Sequence, residues 1–185
     1  VDIQDNHLQK PGTYEARARR QYHQGDLQGA LKQARSWLKD QRFSKRAVNI
    51  ASFIDSTGLQ KYDVATELLE DGLMTNPHDP LLKNNLAYSL AKQGRVEDAR
   101  DILSRVNMSR ASKKTEAAIT ATKGLIKFRD SNPEEGRPYY VQAVSIAKDT
   151  GDENVTSIAM LSHAVEEIIN NSTCSDKVAR KALDH

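Results

Sequence analysis

Cysteine, aromatic side chains and long apolar runs are all scarce in this sequence, and each scarcity excludes something. A single cysteine, Cys174, leaves no intrachain disulfide, so the fold must hold by packing alone. An isolated thiol suits a reducing compartment, and the cytoplasm is the expected location. No apolar run approaches the roughly 18 residues of a membrane span, so no membrane insertion is expected. No signal peptide is visible, and the chain begins at Val1, as a processed protein or an excised domain would. Aromatic residues make up 5% and apolar residues 38% of the 185 positions. That is lean for a globule around one central core. It suits an elongated repeat, in which each unit touches only its neighbours.

Catalytic and metal-binding patterns are missing as well. The five histidines, His7, His23, His78, His163 and His185, are scattered. His163 shares a helix with Glu166 and Glu167, but zinc asks for three or four ligands at set spacing. Cys174 has no activating base beside it. No glycine-rich phosphate loop occurs. Neither an enzyme nor a bound cofactor or metal is expected.

Charge is plentiful but nearly balanced, with 27 Lys/Arg against 25 Asp/Glu. Its distribution is uneven. Residues 1–50 carry ten Lys/Arg against five Asp/Glu, a net of +5, while residues 51–185 carry a net of −3. A mildly basic end favours an acidic partner.

What the sequence does contain is internal repetition. Residues 81–103 pattern as helix, glycine turn, helix. Leu82, Leu86 and Leu90 recur every four residues as one apolar stripe, and Gly94 supplies a left-handed stop. Ala87 and Ala99 then face each other and let two backbones approach. The same small–small pair recurs as Ala18/Ala30, Ala51/Ala65 and Gly124/Gly136. The separations are twelve, fourteen, twelve and twelve residues, and the second member advances by 35, 34 and 37 positions. The wider separation of Ala51 and Ala65 calls for a longer turn at Ser56–Lys61.

These residues resemble the tetratricopeptide repeat family, whose pattern of about 34 residues places a small residue in the first helix and Ala early in the second. The segments 24–31 and 93–99 are similar to the family's turn and second-helix start. Pro77 falls where a repeat closes, and Tyr139 to Ala143 resembles an aromatic-and-alanine second helix. The resemblance covers roughly residues 12–150. It implies an all-α, right-handed α-solenoid of about four helix pairs, at 12–40, 44–76, 79–107 and 112–150, behind a tail over 1–11. Asp79-Pro80 and Asn132-Pro133 offer caps followed by Pro at the first helical position. Residues 153–185 are expected to form capping helices. The first, over 154–170, has Ile158, Leu161, Val165, Ile168 and Ile169 on one side, which should cover the last pair. A short helix over 175–183 follows.

In an array of this kind the first helix of each pair lines a concave groove. Counting from the small packing residues, the resemblance assigns to that groove Arg19, Tyr22, Asn49, Ser52, Asn84, Asn85, Tyr88, Lys92, Leu125 and Arg129. Asn side chains both donate and accept, so they can pair with any peptide backbone. Tyr22 and Tyr88 add amphipathic contact area. Arg19, Lys92 and Arg129 suit acidic groups. A clamp for chaperone-tail carboxylates is not expected, because Glu15, Leu81 and Asn85 stand where its basic residues would fall and Asn49 alone matches.

The function implied is a protein-interaction scaffold that takes a peptide or a partner protein. Two other readings stand beside it. Arg105, Arg110, Lys113, Lys114, Lys123, Lys127 and Arg129 cluster around the fourth pair, as a nucleic-acid footprint would. Interleaved acidic residues and the lack of an aromatic platform disfavour that. Exposed apolar surface on the C-terminal helix, or on the first pair if nothing covers it, would instead make a homodimer, or an adaptor arm of a larger protein.

Overall fold

The structure, a computed structural model, describes residues 12–170 and the isolated Val178. The tail over 1–11, Cys174 and the helix expected over 175–183 lie outside the described residues, apart from Val178. The described residues form nine α-helices and no strand. They are α1 (Tyr14–His23), α2 (Leu27–Asp40), α3 (Lys45–Phe53), α4 (Tyr62–Thr75), α5 (Pro80–Lys92), α6 (Val96–Ser104), α7 (Lys113–Arg129), α8 (Pro133–Lys148) and α9 (Glu153–Ile169).

Side-chain caps mark where most of these helices begin. Thr13, Asp26, Ser44, Asp79, Ser112, Asn132 and Asp152 each accept a backbone N–H of the following first turn. Asp79 accepts two, from Leu81 and Leu82, both at 3.0 Å, and Pro80 fills the first helical position without wasting a donor. The α5–α6 turn closes on Gly94, whose φ of +80° is open to glycine without strain. The longer turn after α3 takes a specific form. Ile54–Gly58 continues the helix as one wide π turn, and Gln60 at φ 55° redirects the chain into α4.

Helices pack in sequence, α1 on α2, α3 on α4, α5 on α6 and α7 on α8. Each odd-numbered helix from α5 onward also lies against the odd-numbered helix before it. The result is an all-α repeat solenoid. The small–small pairs sit at the centres of the helix pairs. Ala18, Ala30, Ala51, Ala65, Ala87 and Ala99 are all fully buried. Closest of all are α7 and α8. A Cβ on Gly124 would stand 3.1 Å from the Gly136 carbonyl, and one on Gly136 would stand 3.0 Å from the Gly124 carbonyl. The absence of both side chains therefore sets that helix spacing. One apolar core runs continuously from Val48 through Leu69, Leu82, Leu86 and Leu90 to Phe128 and Tyr140.

α9 departs from the sequence expectation. It packs on α7 and α8, but its apolar stripe faces outward: Ile158, Leu161, Val165, Ile168 and Ile169 are 45–55% exposed. Its inward face carries Thr156, Ala159, Met160, His163, Ala164, Glu166 and Glu167. The N-terminal half docks through small residues, with Ala159 against Ala117 and Ala147. The C-terminal half docks through charge. Glu167 accepts from Arg137 Nε at 2.6 Å and lies 3.1 Å from His163 Nε2. The His163 ring stacks on Tyr140 at 5.0 Å with the planes 4° apart. The carboxylates go inward because cations on earlier helices wait for them there.

Candidate binding groove

The odd-numbered helices lie side by side, so their exposed flanks form one continuous row. Three stretches of that row differ in chemistry. At the N-terminal ends of α3, α5 and α7 is a cleft of about 560 Å³ lined by Lys45, Arg46, Asn49, His78, Leu81 and Arg110, among others. Lys45 Nζ sits 2.9 Å from Asp79 Oδ2, while the other Asp79 oxygen caps α5. Arg46 reaches back to Glu15, 2.8 Å away and only 5% exposed. Arg110 is exposed and pairs with no carboxylate among the described residues.

Beyond the cleft, three amides form a chain. Asn85 Nδ2 on α5 donates to Asn49 Oδ1 on α3 at 3.1 Å, and Asn84 Nδ2 donates to Asn85 Oδ1 at 3.4 Å. Asn84 is buried, and its own Oδ1 has no hydrogen-bond partner. Asn49 and Asn85 are only half-buried and keep N–H donors to spare.

The far end is ionic and aromatic. Tyr88 packs edge-on to Tyr62 at 6.4 Å. Burial, reinforced by Tyr62 and Glu166, pushes the Tyr88 hydroxyl far above the ordinary phenol range, so it stays a neutral donor. Lys92 Nζ lies 3.1 Å from Glu166 Oε1. Arg129 holds the same carboxylate with two nitrogens, Nη2 to Oε1 at 3.1 Å and Nη1 to Oε2 at 2.6 Å. Lys92, Arg129 and Glu166 occupy α5, α7 and α9 at an interval of 37 residues, so they are equivalent positions on successive first helices.

The ten residues assigned from sequence therefore separate. Asn49, Asn84 and Asn85 come together as a hydrogen-bonded chain. Lys92 and Arg129 also come together, but around a carboxylate of the chain itself. Arg19 is exposed and pairs with Glu15 one turn away, at 3.0 Å. Tyr22 is half-buried against Phe53, with ring centroids 5.6 Å apart. Ser52 and Leu125 are fully or almost fully buried, and the Ser52 hydroxyl donates to the Asn49 carbonyl of its own helix. Tyr88 is half-buried beside the amide chain. The cleft cations Lys45, Arg46 and Arg110, the last expected in a nucleic-acid footprint, and the carboxylate of Glu166 were not among these ten residues. The 37-residue interval from Lys92 to Arg129 to Glu166 was the signal that would have found the last of these.

Residues 57–121 match the family model of the tetratricopeptide repeat. That span runs from the π turn through α4, α5 and α6 to the middle of α7, and includes Asn84, Asn85, Tyr88 and Lys92. No curated protein matches the chain. Repeats of this kind are in general protein-interaction scaffolds and typically not enzymes. No described helix is long and apolar enough to cross a membrane.

Proposed function

We propose that this chain is a non-catalytic scaffold whose row of first helices binds an extended, acidic peptide segment of a partner protein. The observation that carries this is the Asn49–Asn85 amide pair bridging α3 and α5 beside the cleft. An amide pair that spans two helices offers donors to a peptide backbone whatever its sequence. The cleft supplies the selectivity. Its cations Lys45, Arg46 and Arg110 outnumber Asp79 and Glu15, and Arg110 pairs with no carboxylate among the described residues. Acidic side chains of the ligand meet Arg110 first and compete with Asp79 for Lys45. At the other end Lys92 and Arg129 both already pair with Glu166, whereas Arg110 in the cleft pairs with no described carboxylate, so the ligand's acidic groups belong in the cleft.

The nucleic-acid reading finds less support. Of the seven cations around the fourth pair, Arg105, Lys113, Lys114, Lys127 and Arg129 each face a carboxylate, Asp101, Glu116, Asp152, Glu135 and Glu166 respectively. Cations already paired release fewer counterions to a phosphate backbone.

A peptide-display selection on the intact chain tests the proposal. Enriched peptides are expected to carry Asp or Glu, and Asn85→Ala or Arg110→Ala should weaken the best of them about tenfold, the worth of one or two hydrogen bonds. Neutral or basic peptides binding both variants as well as the parent would refute it.

A further inference from the structure

The outward stripe of α9 is a face built to receive a helix. The interval of 37 residues that superposes Lys92, Arg129 and Glu166 also superposes Ala87, Gly124 and Leu161. In α7 the face at Gly124 and Phe128 receives α8. Gly124 abuts Gly136 and Tyr140 there, and Phe128 packs edge-on to Tyr140 at 5.7 Å. The equivalent positions of α9 are Leu161 and Val165, continued on the same stripe by Ile158, Ile168 and Ile169, and nothing described covers them.

Two features decide the occupant. First, Leu161 stands where the other first helices have Ala or Gly. Its side chain blocks the close backbone approach by which α8 seats on α7, so this face suits interdigitating side chains at ordinary helix spacing. Second, the stripe is self-complementary. Ile158, Leu161, Val165 and Ile168 are spaced three, four and three residues apart, symmetric about position 163. A two-fold axis there sets α9 antiparallel to a second α9, with Ile158 opposite Ile168 and Leu161 opposite Val165 of the other copy. Such a contact is isologous, as two-fold dimers require. The flanks of the stripe are uncharged (Asn154, Val155, Ser157 and Ser162), so two copies meet without like-charge repulsion.

We propose that a second copy of this chain occupies the face, forming an antiparallel α9–α9 dimer. The five side chains expose on the order of 450 Å² of apolar surface per copy, within the range of the largest, often functional, patch of a monomer. Two copies together bury about 900 Å² through the stripe, which is below the range of stable interfaces and in that of weak, transient ones. The dimer is therefore weak and concentration-dependent. The dimer stands without the peptide proposal, and where that groove binds its peptide the paired scaffold is bivalent.

Sedimentation equilibrium of the full chain from about 10 µM to 1 mM tests this. A monomer–dimer equilibrium is expected, and Leu161→Glu or Val165→Glu should weaken it at least tenfold with helix content unchanged. In a Cys174→Ser background, Leu161→Cys and Val165→Cys chains mixed together should cross-link with each other faster than either does alone. A monomer at every concentration would overturn the proposal, with the face then covered by residues 171–185 or by a different protein. So would a dimer indifferent to both Glu substitutions, or cross-linking no faster in the mixture.

Discussion

Glu166→Gln is the substitution that tests how α9 is held. It preserves shape and removes one negative charge from between Lys92 and Arg129. In the wild type the carboxylate is 2% exposed as a residue, and the two cationic side chains are 13% and 20% exposed. Removing one partner of a fully buried ion pair costs about 3–5 kcal/mol, because the remaining charge is stranded. Here the cations retain some water, so the expected cost is about 2–3 kcal/mol. For a chain of this size that lowers Tm by roughly 4–12 °C. Because repeat arrays need not unfold in one step, a global melt is not sufficient. Hydrogen exchange on the amides of α9 gives the local measure, and protection there should fall more than in α5 or α6. Adding Lys92→Met should recover part of the loss by removing one stranded charge. A cost below about 0.5 kcal/mol, the worth of an exposed pair, would refute the view that these charges dock α9.

Two further outcomes follow from the packing. Gly124→Ala places a Cβ 2.8 Å from Tyr140 Cδ2 and 3.1 Å from a backbone oxygen. The overpacking cost of about 1–3 kcal/mol should exceed the gain of about 1 kcal/mol that Ala brings to a helix, so urea denaturation should show net destabilisation. A stabilised variant would mean that the α7–α8 spacing is not glycine-limited. For Asp55, burial raises the carboxyl above its ordinary 3.8, against the opposing charge of Arg35, and one of its oxygens has no partner. An acid whose pKa is raised by folding stabilises the fold below 3.8 and loses that contribution as pH rises through the folded value. Melts of the wild type against Asp55→Asn should therefore move in the variant's favour as pH rises from about 4, and a pH-independent difference would refute the assignment.

The pairing of helices was legible because it depends on local chemistry. Small residues at Ala18/Ala30 through Gly124/Gly136, the Asp79-Pro80 cap and the Gly94 turn all act within one pair. The orientation of α9 was not legible from its own residues. Taken alone, Ile158 to Ile169 form an obvious buried face, and Glu166 and Glu167 an obvious wet one. The reversal comes from Arg129 and Arg137, 37 and 30 residues away, and from Lys92, 74 away. Desolvation of a carboxylate becomes acceptable only when the solenoid has brought those cations to it. The groove was legible in part for the same reason. The three Asn side chains lie on neighbouring turns of neighbouring helices and were found by register. The burial of Ser52 and Leu125 depends on how the adjacent helices tilt, which no spacing encodes.

The solenoid thus contains joints of two thermal kinds. Within each pair, and along the core from Val48 to Tyr140, the helices hold by apolar contact. That attraction weakens on cooling and levels off on heating. The C-terminal half of α9 is held by Glu166 and Glu167 against Lys92, Arg129 and Arg137, and the hydration penalty of such charges shrinks as the temperature rises. Warming therefore shifts relative strength toward the ionic end of the array, and chilling shifts it toward neither. At low temperature the apolar joints slacken, while the ion pairs carry their largest desolvation cost.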